Sequence, residues 1–333
     1  MIGRRRLTVL LTTLTVLAVV TGCGSLQAEQ PPARTSPAVV EKARIKVGVL
    51  PVVDVAPLHI AIKNGYFRNE GLEVETVTVQ GGAAAIPSLI KGGLDITFGN
   101  WVSFIAAQSD GTAKDVGGLK LISDAYQAKP GMFLILVKGN GPIRTMQDLV
   151  GKTIAINTLN NISELTTKAV LEANNIDPKR VTLKAMPMPD MEAAIERNVV
   201  DAGFMSEPFI TKAQRNSGQL AIIDAASGPT DGIPIAGYGT TAKFAQESPN
   251  TVAAFQRAMA KGQRDASDRA TVQALLPDYA GVDRDTAKLV HLGQFPISLD
   301  PTRLQRVATL MKTYGLLGAD LDVEPMLVRG AEK

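Results

Sequence analysis

The chain of 333 residues has a single cysteine, Cys23, and only two histidines, His59 and His291. With no second thiol there is no intrachain disulfide, and no cysteine is left past position 23 for a nucleophile or a cluster. Two histidines without cysteine or carboxylate at ligand spacing offer no metal site. The phosphate loop GxxxxGK, the GxSxG elbow and the HExxH signature are all missing, and no cofactor motif takes their place. Neither charge is in excess. The 35 Lys and Arg face 32 Asp and Glu, and three of the basic residues (Arg4, Arg5 and Arg6) precede the body, which is left balanced. A balanced body lacks the clustered basic face that nucleic acid requires, so nucleic acid is not an expected partner. Past the first 22 residues no apolar run approaches the ~20 residues of a membrane span.

What is present begins with Arg4, Arg5 and Arg6 ahead of an uncharged apolar run at 7–20, closed by Val20-Thr21-Gly22-Cys23. That order predicts a removable export signal over residues 1–22. A cysteine directly after small residues resembles the lipobox of bacterial lipoproteins. The resemblance implies that the Cys23 thiol is acylated, becomes the first mature residue and tethers an exported protein to the outer face of the cell membrane or in the periplasm. An ordinary signal with an incidental cysteine is the alternative. Residues 23–43 are rich in Pro, Ser, Ala and Gln, the composition of a flexible tether. The body beyond the tether is longer than one core usually serves, which predicts two lobes.

Strand-like runs at 45–50, 72–79, 94–98 and 119–123, and again at 153–156, 181–185, 200–204 and 220–223, alternate with helical patterns. This predicts an α/β fold with mainly parallel sheets covered on both faces. Asn161 with Glu164 reads as a capping box, and Ser248-Pro249, Asp283 and Asp300-Pro301 as helix starts in the helical stretch after 242. One internal echo stands out. Leu94-Asp95-Ile96-Thr97-Phe98-Gly99-Asn100-Trp101 resembles Val200-Asp201-Ala202-Gly203-Phe204-Met205-Ser206-Glu207, as if each lobe carried one copy. Ligands of open α/β sheets bind beyond the carboxyl ends of strands, which singles out Gly99-Asn100 and Met205-Ser206.

Several residues near such ends have two roles open to them. Gly81-Gly82 either cradles an anion or only lets the chain turn. The run Asn157-Thr158-Leu159-Asn160-Asn161 either caps a helix or meets a ligand. Trp101 either packs in a core or stacks on a flat ligand. Glu207 either receives a ligand amine or favours a helix amino terminus. Met186, Met188 and Met191 are core or adaptable pocket lining, and His59 is packing or surface, or a catalyst.

Val49-Leu50-Pro51 with Ala56-Pro57-Leu58, then Gly65-Tyr66-Phe67 with Gly71-Leu72-Glu73-Val74, resembles the solute-binding proteins for nitrate, sulfonates, taurine and thiamine-precursor pyrimidines. Gly81-Gly82, Leu94-Asp95, Asp148-Leu149-Val150-Gly151-Lys152, Val200-Asp201-Ala202, Glu207-Pro208-Phe209 and Tyr314-Gly315-Leu316 continue the likeness in order over the mature chain. The resemblance implies a two-lobed periplasmic-binding-protein fold of type II, with the ligand cleft between lobes. Lobe 1 is then 44–137 with 237–330, and lobe 2 is 138–236. The lobes would be joined through 133–137 and 235–241, with Gly237 and Gly239 absorbing the closure.

It further implies a monomer with no cofactor, no catalytic residue and no metal. Its partners are a small-molecule solute, an ABC importer permease with its cytoplasmic ATPase, and membrane lipid through Cys23. Site residues carried over are Val53, Asp54, Gly81, Gly82, Asn100, Trp101, Tyr126, Asn157, Leu159, Asn160, Asn161, Glu207 and Tyr238, with Phe104 a further ring for stacking. Asp54 and Glu207, with no arginine among these positions, favour an amine-bearing or pyrimidine-like solute over nitrate or a simple sulfonate. On this reading Trp101→Ala and Glu207→Ala weaken binding and spare folding. A pyrimidine-synthesising enzyme on the same fold, with His59 as its reactive residue, and a sensing lipoprotein partnered with a receptor are the alternatives.

Replacing Cys23 with Ser is expected to move the protein from the membrane fraction to the soluble exported fraction. Equal partition of wild type and variant would refute the lipid anchor.

Overall fold

The computed structural model describes residues 39–330, so the export signal, Cys23 and most of the tether lie outside the described residues. The chain opens with β1 (Arg44–Val49), α1 (Ala56–Lys63), α2 (Tyr66–Asn69), β2 (Glu73–Thr78), α3 (Gly82–Ile90), β3 (Ile96–Asn100), α4 (Trp101–Ser109) and β4 (Leu119–Gln127). Next are β5 (Leu134–Val137), β6 (Thr153–Ile156), α5 (Ile162–Ala173), β7 (Thr182–Ala185), α6 (Met188–Glu196), β8 (Ala202–Met205), α7 (Phe209–Ser217) and β9 (Leu220–Asp224). Then come β10 (Pro234–Thr241), α8 (Ala242–Glu247), α9 (Pro249–Asp265), α10 (Arg269–Tyr279), α11 (Arg284–Leu289) and α12 (Pro301–Thr313).

The strands form two five-stranded sheets, ordered β2-β1-β3-β10-β4 and β7-β6-β8-β5-β9. In each, four strands run one way and one, β10 or β5, is reversed between neighbours. The two orders are the same pattern, so β3 and β8 are equivalent strands. The echo in the sequence is a consequence of this. Asp95 takes the Lys46 N–H on its carboxylate at 2.9 Å and returns its own N–H to the Lys46 carbonyl at 3.0 Å. Asp201 does the same with Thr153, at 2.9 and 3.0 Å. A lysine lies beside each: Lys42 Nζ at 2.7 Å from Asp95 and Lys152 Nζ at 3.8 Å from Asp201. Each aspartate thus clamps the start of the neighbouring strand.

Central strands are buried throughout, as strands covered on both faces must be. The edge strands β2 and β7 are largely exposed and carry Glu73, Glu75 and Lys184, charges that oppose edge-to-edge pairing. Capping is local. Asn161 accepts from Ser163 and Glu164 N–H at 3.0 and 3.3 Å, and Asp283 and Asp300 cap α11 and α12 in the same way. Glu164 reaches back to the Asn160 N–H, one residue before the cap, and Ser248 makes no side-chain cap for α9.

The sequence boundaries between lobes need correction. β5 belongs to the second sheet and β10, from Pro234, to the first, so residues 133–137 and 235–241 are mostly sheet strands. The chain crosses instead at 128–133 and 225–233. These two connections run side by side, with Ala128 N–H on the Ile233 carbonyl at 3.0 Å and Ala225 N–H on the Phe133 carbonyl at 2.8 Å.

Gly237 and Gly239 are glycines for close approach. A Cβ on Gly237 would collide with the Trp101 ring and the Ser123 carbonyl, and one on Gly239 would lie 2.6 Å from the Phe104 ring. Gly237→Ala therefore overpacks the seat of β10 on α4, and is expected to destabilise by about 1–3 kcal/mol or more. Chemical denaturation reads this out; an unchanged midpoint would show that β10 is not seated this way.

Candidate functional site

The carboxyl ends of β1, β3, β6 and β8 point at one another and enclose a small cavity of about 40 Å³. Leu50, Asp54, Asn100 and Phe98 line it from the first sheet's side, and Asn157, Phe204 and Ser206 from the second, with Phe133 of a connecting segment between them. Outside it lies a groove of about 290 Å³, walled by Pro51, Val79, Pro187, Pro189 and Phe209. Leu50, Val52 and Met188 belong to both walls, so the two spaces adjoin.

The seam beside the cavity is polar and locally satisfied. Asn100 Oδ1 accepts from Ser103 N–H at 2.9 Å, capping α4, and from Ile162 N–H at 3.2 Å, the first residue of α5. One carboxamide thus serves helix amino termini from both sides of the cleft. Ser103 Oγ donates to the Asn160 carbonyl across the same seam at 3.3 Å. Asn161 caps α5 and donates to Thr158 Oγ1 at 2.8 Å and to Asn157 Oδ1, which also takes Ser163 Oγ at 3.3 Å. A Cβ on Gly81 would lie 2.9 Å from Thr158 across the seam, and one on Gly82 equally close to Gly99.

Glu207 is committed elsewhere. Its carboxylate accepts from Thr211 N–H at 3.1 Å, Thr211 Oγ at 2.8 Å and His291 N–H at 3.0 Å, and its carbonyl takes the Val53 N–H at 3.2 Å. Burial pushes its pKa up against those donors. The residue joins the start of α7 to the segment after α11 and to the turn at Val53, and does not line either space.

Asp54 is the one ionisable side chain among the described residues lining the cavity. It is 6% exposed, and among the described residues no side chain or backbone group of another residue bonds to it and no lysine or arginine shares the wall. Desolvation pushes its pKa to about 7, its own backbone N–H pulling the other way. The buried phenols of Tyr126, Tyr238 and Tyr279 lie close enough for its charge to add to their upward shifts, which burial dominates. His59 stacks on Tyr279 at 4.0 Å, its pKa lowered to about 4 by burial, and is not in the cavity wall.

Of the residues named from the sequence, the cavity brings together Asp54, Gly82, Gly99, Asn100, Asn157, Met188 and Ser206. Val53, Gly81 and Asn160 lie at the seam, Asn161 is a buried cap, and Leu159 is 49% exposed. Trp101 and Tyr238 are fully buried in the core of the first sheet, with Phe104, and Tyr126 bonds to Gly293 N–H and Met132 sulfur. As the first residue of α4, Trp101 turns under β10 instead of into the crevice, so its loss removes core volume. The rings that do face the cavity are Phe98, Phe133 and Phe204, the last two at 5.0 Å. The period of β3 could have flagged Phe98, which shares a face with Asn100. Nothing local marked Phe133.

Two sheets of this order with a cleft at their carboxyl ends define the fold of the periplasmic binding proteins. Similar to it is the alkanesulfonate-binding protein SsuA from Xanthomonas axonopodis pv. citri bound to MOPS. The TM-score is 0.72 at 18% identity, covering 88% of this chain and 100% of that one. The chain belongs to the NMT1/THI5-like family, whose profile matches residues 52–271. It is 25% identical over 276 residues to the riboflavin-binding protein RibY of Chloroflexus aurantiacus, covering 78% of this chain and 74% of that protein. It is 24% identical over 268 residues to the nitrate import ATP-binding protein NrtC of Synechocystis, over 74% of this chain but only 39% of that longer protein.

The Asp54 shift makes a stability prediction. A folded pKa near 7 against the ordinary 3.8 means that the folded state holds the proton more tightly. The group costs nothing below about pH 4; its penalty grows as pH rises through 4–7 and is complete above 7. Asp54→Asn is therefore expected to stabilise the protein at pH 8 by roughly 2–4 kcal/mol and to change little at pH 4. Equal effects at both pH values, measured by urea unfolding, would show that this carboxyl is not the buried, unpaired group.

Proposed function

We propose that the protein is an exported solute-binding lipoprotein that captures a small organic solute by closing its two lobes and presents it to the permease of an ABC importer. The observation that carries this reading is the cavity itself. It lies between two sheets joined at adjacent connections, so a solute bound there contacts both halves only when they are closed. Closure is then favoured by that difference in contact. The names of RibY, a riboflavin-binding protein, and SsuA, an alkanesulfonate-binding protein, support solute capture, and that of NrtC, an ATP-binding protein of nitrate import, supports a link to import. The lobes proposed for the motion are the two sheets with their helices, hinged at 128–133 and 225–233. The protein acts as a monomer, held to the membrane through acylated Cys23, and carries out no chemistry: the residue an enzyme would use, His59, is packed against Tyr279 away from the cavity wall. Amine-bearing, pyrimidine-like and sulfonate compounds are the solute classes in play. Receptor signalling in place of import would use the same closure.

Mass spectrometry of small molecules copurifying with the protein should identify a solute whose return to the stripped protein raises its melting temperature and contracts its radius of gyration in solution scattering. No copurifying solute, and scattering unchanged by amines, pyrimidines and sulfonates alike, would overturn the reading.

A further inference from the structure

The inner cavity and the outer groove differ in both size and chemistry. At about 40 Å³ the inner space admits a group of a few non-hydrogen atoms, while the groove, at about 290 Å³, is near the lower end of ordinary ligand pockets. The inner wall carries Asp54, Asn100, Asn157 and Ser206; the outer wall is apolar but for Thr78 and Gln80. We infer that the solute is a two-part molecule, with a compact protonated-nitrogen head seated against Asp54 and an apolar body lying in the groove between Pro51 and Pro187. This rests on the solute-binding reading and adds to it the chemistry and orientation of the ligand.

Three observations converge on the head group. Asp54 is a buried carboxyl with no hydrogen-bond partner in another of the described residues, and a charge held so is costly unless something brings a cation to it. Phe98, Phe133 and Phe204 surround the same space, and ring faces attract a desolvated cation. An anion meets no cationic side chain among the described residues of the wall. Asn100 and Asn161 take the Ser103, Ile162, Ser163 and Glu164 N–H groups, which leaves the uncapped start of α3 at Gly82 as the backbone group in the wall open to one. The continuity of the two spaces through Leu50, Val52 and Met188 lets one molecule occupy both. A solute as small as nitrate would leave the groove unused.

The test is calorimetric titration of the purified full-length protein in detergent at pH 8 with n-alkylamines from butyl to octyl, the matched n-alkanesulfonates, and sodium nitrate. Amines are expected to bind, with affinity rising about fourfold per added methylene until the groove is filled. The matched sulfonates should bind at least tenfold more weakly. Asp54→Asn, with circular dichroism confirming its fold, should weaken amines at least tenfold and leave sulfonate binding no weaker. Sulfonates or nitrate binding as tightly as amines, with Asp54→Asn without effect, overturns the head group and leaves the solute-binding reading standing. Amine affinity independent of chain length overturns the assignment of the groove. Binding of neither class, with no closure in scattering, overturns both readings.

Discussion

The seat of β10 on α4 carries the architecture. This strand comes from the carboxyl-terminal half of the chain and lies reversed between β3 and β4, with Gly237 opposite Gly99 and against the Trp101 ring. Only a strand without side chains at Gly237 and Gly239 can approach the helix so closely. Because β10 completes the first sheet, the chain must cross to the second sheet and return, and the two crossings are held together by hydrogen bonds near Ala128 and Ala225. The carboxyl ends of both sheets then face the same cleft. The position of the cavity is a consequence of that strand exchange.

Four carboxylates of the two sheets and the cavity divide into two kinds. Asp95 and Asp201 are clamped to a neighbouring strand by paired hydrogen bonds and a lysine, and Glu207 is saturated by Thr211 and His291. Each of these stabilises the fold through its partners. Asp54 has the burial without the partners, in the wall of a cavity with phenylalanine rings. Structural charges are satisfied within the chain, whereas a group that meets a ligand is left unsatisfied until the ligand arrives. The distinction separates scaffold from site more sharply than residue type does.

Much of the fold was legible because its signals are local. Alternation of apolar runs with helical spacing located β1, β2, β3, β6, β7, β8 and β9 to within a residue or two, and Asn161, Asp283 and Asp300 cap the helices that they were expected to open. The membership of β5 and β10 was not legible. A buried strand reads the same whichever sheet it joins, and glycines in β10 look like hinge glycines until the ring they accommodate is known. The candidate site was half legible. Strand ends pointed to Gly99, Asn100 and Ser206 and the family likeness to Asp54, Gly82 and Asn157, but the aromatic wall was sought in Trp101 and Tyr238, which turn into the core.

Residues within a few positions of one another set the βα alternation, the repeated Leu-Asp and Val-Asp strand starts, the helix caps and the motifs of the family. Which sheet takes the reversed strands, and which of two acidic residues remains free, was settled only in the folded chain. Glu207 is bound because His291 lies 84 positions away in sequence yet 3.0 Å away in space, and Asp54 is free because none of the described residues reaches it in this way. Pairing at that distance depends on the path of the whole chain, and a local pattern does not encode it.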